Sequence, residues 1–258
     1  YFSNTELAAR ELPSEKELAL LEPFKDQLPP EVFTEVYTAP KSDGSGNIRD
    51  NLRTAFELLK QAGWEVDAKT RVLTHKATGK PMNFEILLVS SAFERISAPF
   101  AKNLERLGIT ARIRTVDAAQ YQNRLDEFDF DMTVAVWGQS LSPGNEQRNF
   151  WSCEAAETKG SSNYVGVCQP AVDALVQKII EAPTREDLVA ACRALDRVLL
   201  WNHYVIPHWH TRVTRVAYWD KLARPKISAR YGLDLFTWWV EPAKVGEVEA
   251  AKRRRTGG

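Results

Sequence analysis

Residues 83–90 read NFEILLVS, 92–107 AFERISAPFAKNLERL, 109–116 ITARIRTV, 117–128 DAAQYQNRLDEF and 130–137 FDMTVAVW. Asn83 to Ser90 is a near-continuous apolar run of strand length. Ala92 to Leu107 carries the apolar period of a helix ended by Gly108, and Ile109 to Val116 alternates Ile109, Ala111, Ile113 and Thr115 as a strand does. Asp117 with Gln120 caps another helix to Phe128, and Phe130 to Trp137 forms a third strand. Strand, helix, strand, helix, strand with crossovers of this length predicts an α/β fold: a sheet with parallel neighbours and helices packed on it. Ligands in such sheets bind beyond the carboxyl ends of the strands. The third strand runs into Trp137-Gly138-Gln139-Ser140-Leu141-Ser142-Pro143-Gly144-Asn145, a polar, turn-rich loop at that location.

Upstream, Asn47 with Asp50 opens a helix whose residues Ile48, Leu52, Ala55, Phe56 and Leu59 share a face and which Gly63 closes. Residues 64 to 81 read as a small hairpin around Val66, Val72 and Leu73. Residues 1 to 46 are Pro-rich and are expected to be mostly extended or turn structure, with one short helix begun by the capping box Ser14 to Glu17. Downstream, Ala171 to Ile180 and Leu188 to Trp201 are amphipathic helices, the second capped within Pro183 to Asp187, and both are expected to pack against the sheet. His203 to Tyr218 alternates as a pair of extended segments, and the charged tail 247–258 is expected to be disordered.

With 258 residues, 44% of them hydrophobic, the chain can bury a large core or split into two domains. Its 34 basic and 34 acidic side chains leave no net field to attract phosphate backbones or anionic lipid, which argues against nucleic acid as a partner. No apolar stretch approaches the ~18 residues that cross a bilayer, and no signal peptide is visible in the first 30 residues. The chain opens on Tyr1 rather than Met and is read as a piece of a longer polypeptide. Cys153 and Cys168 bracket a Gly/Ser/Asn-rich loop, Glu154 to Val167. A bridge between them contributes on the order of 3 kcal/mol for a ~15-residue closure and implies an oxidising compartment; two reduced, packed thiols are the alternative. Cys192, inside a helical pattern, reads as a core residue.

Among possible chemistries, no G-x-S-x-G elbow, P-loop or G-x-G-x-x-G fingerprint occurs. His203, His208 and His210 cluster in sequence, and two of them fall on one face of a strand, so a metal-dependent binder or hydrolase is the rival reading. No carboxylate or cysteine at ligand spacing accompanies them, and no cofactor is implied. The acidic run Asp126, Glu127, Asp129 and Asp131 and the basic run Lys252 to Arg255 read as solvated charge. Eight tryptophans are the compositional signal, seven of them in the second half. Flat apolar rings beside Asn, Gln, Ser and Gly make a surface that grips an organic ligand and directs its polar atoms. Trp137, Trp151 and Trp209 are placed near a ligand, and Trp201 and Trp219 in the core.

The segment Tyr1 to Leu12, the helix end Leu58-Leu59-Lys60-Gln61-Ala62-Gly63-Trp64, the strand reaching Trp137 and Ile206-Pro207-His208-Trp209-His210 resemble one family. It is the C-terminal part of the extracytoplasmic solute-binding proteins of the dipeptide/oligopeptide/nickel family, family 5, that serve ABC importers, in its YejA-like branch. The resemblance covers nearly the whole chain. It implies a periplasmic, non-enzymatic, two-lobe clamp for a peptide or peptide-like conjugate, handed to an ABC permease in the membrane. Residues 1–210 would be most of the second lobe, a mixed sheet with packed helices. Residues 211–246 would cross the hinge as strands of the first lobe, whose N-terminal remainder is missing here, with a separate chain as one source of it. The expected ligand-binding residues are Trp137, Gly138, Gln139, Ser140, Asn145, Asn149, Trp151, Tyr164 and Trp209. Peptide binders of the family place an Asp in the loop after this strand, against the ligand's amino group. Here Gln139 and Ser140 are neutral, so a ligand's free amino group would lack that carboxylate partner, and a modified peptide or one held by its backbone is expected.

Overall fold

The computed structural model describes residues 1–208, 213–227 and 232–256. The chain divides into two compact units, Tyr1–Val205 and Ile206–Gly258. In the first, the helices α1 (Glu15–Leu21), α2 (Glu31–Thr34) and α3 (Arg49–Gln61) precede a hairpin of β1 (Trp64–Val66) and β2 (Leu73–His75). Next come β3 (Asn83–Leu88), α4 (Ser91–Glu105), β4 (Thr110–Thr115), α5 (Ala118–Asp126) and β5 (Met132–Thr133). These strands form a three-stranded sheet in the order β4-β3-β5, parallel throughout. Among the described residues, antiparallel pairing lies outside this sheet, in two two-stranded sheets and in an isolated bridge between Thr74 and Pro81. The crossover helices start where their caps stand: the Ser90 hydroxyl accepts from the Ala92 N–H, and the Asp117 carboxylate from those of Ala119 and Gln120.

β5 is much shorter than the expected Phe130–Trp137 strand, because side chains replace the ladder around it. The Glu85 N–H donates to the Asp131 carboxylate at 2.8 Å, Thr133 Oγ1 donates to the Leu87 carbonyl at 3.1 Å, and the Tyr121 hydroxyl donates to the Val134 carbonyl at 3.3 Å. Beyond Thr133 the backbone is released from the sheet and carries Trp137 into the loop that follows. The second core lies between α3 and the hairpin, where Leu52, Ala55 and Leu59 pack around buried Leu73, Leu107 and Ile109. Gly108 makes this junction possible. Its φ is +81°, and a Cβ there would come within 2.8 Å of the Leu73 amide nitrogen.

The remaining helices of this unit are α6 (Glu146–Trp151), α7 (Cys153–Glu157), α8 (Pro170–Ile180) and α9 (Arg185–Trp201). α7 occupies the start of the stretch expected to be loop, Glu154 to Val167. α8 and α9 bury Val172, Leu175, Val176, Ile179, Leu195, Val198 and Leu199 against each other and against Phe2, Leu7, Leu21 and Val32. The expected packing against the sheet gives way to this arrangement because the N-terminal segment supplies a matching apolar set. That segment also forms two short α-helices and a 3-10 turn, Glu22–Gln27, rather than one helix; the capping box at Ser14 and Glu17 is present. α9 holds it with buried charge. Asp196 accepts from the backbone N–H groups of Phe2 and Ala9, and Arg197 pairs with Glu17 at 3.3 Å and donates to the Glu11 carbonyl. Cys192 is fully buried beneath, and desolvation pushes its thiol pKa up to about 12.

The second unit differs most from expectation. Among its described residues there are no strands between Ile206 and Tyr218; β6 (Leu222–Ala223) and β7 (Trp239–Val240) pair antiparallel, and the expected disordered tail is helix α10 (Pro242–Thr256). Its Glu, Ala, Lys and Arg residues are strong helix formers and Pro242 opens its first turn. Glu249 binds both Lys221 and Lys252, each at 3.2 Å. Trp219, expected in the core, is 53% exposed with the Lys252 ammonium 4.4 Å from its ring centroid. Among the described residues no helix is long and apolar enough to cross a membrane.

Candidate ligand-binding site

Chain released from β5 places Trp137 at the carboxyl end of the parallel sheet, half-buried against the helical core. Its indole lies 5.2 Å from that of Trp151 and 6.1 Å from the Tyr164 ring, centroid to centroid, and its N–H donates to the Ser162 carbonyl at 2.8 Å. Asn149 donates to the Ser162 hydroxyl at 3.2 Å. Five of the expected residues, Trp137, Asn149, Trp151, Tyr164 and Gln139, therefore join one network with Ser162 and Gln147.

Gln147, at the start of α6, is fully buried and its amide is fully used. Oε1 accepts from the Trp151 indole at 3.1 Å and from Gln139 Nε2 at 3.3 Å; Nε2 donates to Gln139 Oε1 at 2.7 Å and to Glu146 Oε1 at 3.2 Å. Gln139 is thereby fixed by a reciprocal amide pair while staying half-exposed. Ser140 and Asn145 are exposed; the Ser140 hydroxyl accepts from the Ser142 N–H, and Asn145 precedes α6 without a side-chain cap bond. Gly138 has open space where a side chain would stand. The loop is tied from outside by Arg185, which donates to the Leu141 carbonyl and to the Glu6 carboxylate.

One expected contact changes role. Trp151 has no exposed surface, so it stands behind Trp137 as support, edge-on to the Tyr1 ring at 5.1 Å. Gln147 and Glu146 were not expected in the site. Gln147 and Trp151 are one helical turn apart, an amide and an indole N–H at spacing i, i+4, and this was the available signal. Glu146 brings a carboxylate to a loop that looked neutral: it is exposed, and its Oε1 is held by the Gly144 N–H at 2.9 Å. Cys153 and Cys168 form a disulfide. His203 packs on the rings of Tyr37 and Trp201, and His208 is exposed. Trp209 and His210 lie outside the described residues. Among the described residues no three His, Cys, Asp or Glu side chains are grouped to hold a metal ion.

The candidate site is thus a loop of aromatic and amide side chains fixed at the carboxyl end of a parallel sheet. Residues 23–159 match the model of the bacterial extracellular solute-binding proteins, family 5 middle region, and the chain belongs to that family. Its sequence is YejA-like: it is 48% identical over 240 residues to "Probable peptide-binding protein YejA" of Agrobacterium fabrum, covering 93% of this chain and 39% of that protein. It is 37% identical to "Peptidoglycan-binding protein YepA" of the same organism, covering 93% of this chain and 38% of that one. The chain thus spans about two fifths of the length of these relatives. The oligopeptide-binding protein AppA from Bacillus subtilis, solved with a nonapeptide, superposes with a TM-score of 0.57 at 17% identity, over 91% of this chain and 46% of that one. The α/β solute-binding fold is therefore shared.

Proposed function

We propose that this chain is the greater part of one lobe of the substrate-binding component of an ABC importer, closing on a peptide or peptide-like conjugate and delivering it to a membrane permease from the periplasm. The observation that carries the reading is the Trp137–Gln139 face, held at the carboxyl end of the sheet by Ser162 on one side and buried Gln147 on the other. Its chemistry fits an extended amide chain: an aromatic plane for packing and a carboxamide with one donor and one acceptor position left after its pairing with Gln147. Peptide binding and peptidoglycan binding, the properties in the two relatives' names, share the peptide component. Residues 1–210 belong to the second lobe in this reading. Residues 211–246 cross to the first lobe, and the remainder of the longer polypeptide completes the cleft, whose closure presents one surface to the permease.

Titration calorimetry of the complete two-lobe protein with a mixed peptide pool tests the proposal. Wild type is expected to give saturable heat, and Trp137→Ala an affinity lower by tenfold or more with folding retained. No heat from the folded wild type with any fraction of the pool overturns it.

A further inference from the structure

The loop from Thr158 to Val167 contributes buried Val167 to the large apolar cluster and packs Val165 against it, and little else. It is nevertheless the part of the molecule that holds Trp137. Its shape comes from polar bonds. Asn163, buried, donates to the Ser152 and Val167 carbonyls and accepts from the Val167 N–H, and the Ser161 hydroxyl donates to the Ala155 carbonyl. Those bonds fix the loop to itself at Val167 and to α7 and its N-cap at Ala155 and Ser152. The Cys153–Cys168 disulfide fixes its base, joining the start of α7 to the residue just before the N-cap of α8 with Cα atoms 4.1 Å apart. Lys159 and the Gly160 N–H tie one end of the loop to Glu127 and to the Asp126 carbonyl at the end of α5, and its middle faces the candidate site: the Ser162 carbonyl takes the Trp137 indole, the Ser162 hydroxyl takes Asn149, and the Tyr164 ring lies against the Trp137 face.

We infer that the Cys153–Cys168 disulfide is a positioning element for the ligand face, acting through Ser162 and Tyr164 to hold the Trp137 indole. Without the bridge, the ends of a loop rich in Gly, Ser and Asn separate, and the indole loses its acceptor and its stacking partner. Chain ordering that the bridge completes on folding then has to be completed on binding, which lowers affinity without removing any ligand contact. Only the effect on affinity rests on the peptide-binding reading; the effect on Trp137 does not.

The test uses the complete two-lobe protein with tryptophan indoles labelled by 15N, comparing wild type with the Cys153→Ser/Cys168→Ser double variant. Indole N–H exchange is followed at Trp137 and at Trp151, whose N–H is held by Gln147 rather than by the loop. Trp137 is expected to exchange at least tenfold faster in the variant and Trp151 at an unchanged rate, with affinity for the mixed peptide pool about tenfold weaker. Should the variant not fold, the oxidised protein is folded first and treated with dithiothreitol, which cleaves the S–S bond to two thiols and is itself oxidised to its cyclic disulfide. An unchanged Trp137 rate, or equal acceleration at both indoles, overturns the inference. Selective loosening of Trp137 in a protein that binds no peptide sustains the positioning role and removes the ligand proposed above.

Discussion

The Gln147 side chain makes four hydrogen bonds from a position without solvent access, and each partner is a residue of the site or its support. Replacing it by Leu leaves the Trp151 N–H buried without an acceptor and frees Gln139 to rotate. The expected cost is about 1–3 kcal/mol, read from the urea midpoint, together with weaker ligand binding; a stability equal to wild type contradicts the network. At this scale the sequence was legible where position alone decides. Trp137, Gln139 and Ser140 follow a strand of a parallel sheet, and that location marks them. It was not legible where burial decides: Gln147 looks like any surface Gln until Trp151 is seen one turn away. Trp219 fails for a related reason, since a Lys from a helix thirty-odd residues on covers its ring and leaves it half-exposed.

Elements were read well where caps and periods agree. Ser90, Asp117 and Thr184 each accept the N–H bonds that begin α4, α5 and α9, and Gly63 and Gly108 stand at positive φ after α3 and α4. Two readings failed because a pattern has more than one physical outcome. An apolar run from Phe130 to Trp137 fits a strand, yet Asp131, Thr133 and Tyr121 take over the pairing and the ladder ends after two residues. A charged tail fits disorder, yet its helix propensity and the Lys221–Glu249–Lys252 bridges hold α10. The helix–helix core carries its own test. Arg197 and Glu17 pair at 2% and 3% side-chain exposure between α9 and α1, and Arg197→Met leaves the Glu17 carboxylate buried and unpaired. A loss of about 3–5 kcal/mol is expected, read from chemical denaturation of the complete protein. A variant as stable as wild type shows that this pair does not hold the N-terminal segment to α9.

At the scale of the whole molecule, two cores of different origin flank the parallel sheet's region of the chain. One is built by α3 and the hairpin, the other by the N-terminal segment with α8 and α9, and Trp137 packs on the second. The candidate loop therefore rests on the larger buried cluster of the unit Tyr1–Val205, and three ties, through Ser162, Gln147 and Arg185, limit its motion. Under the proposed function such a site is preorganised before ligand arrives, and affinity is then expected to be set by what the other proposed lobe adds. The central claim is that this face is one wall of a peptide clamp. It is tested most directly by native mass spectrometry of the complete polypeptide, sprayed gently and then after denaturation. The account predicts a bound mass of peptide size that departs on denaturation and is diminished in Trp137→Ala. A folded, complete protein that carries nothing and takes up nothing from a mixed peptide pool contradicts it.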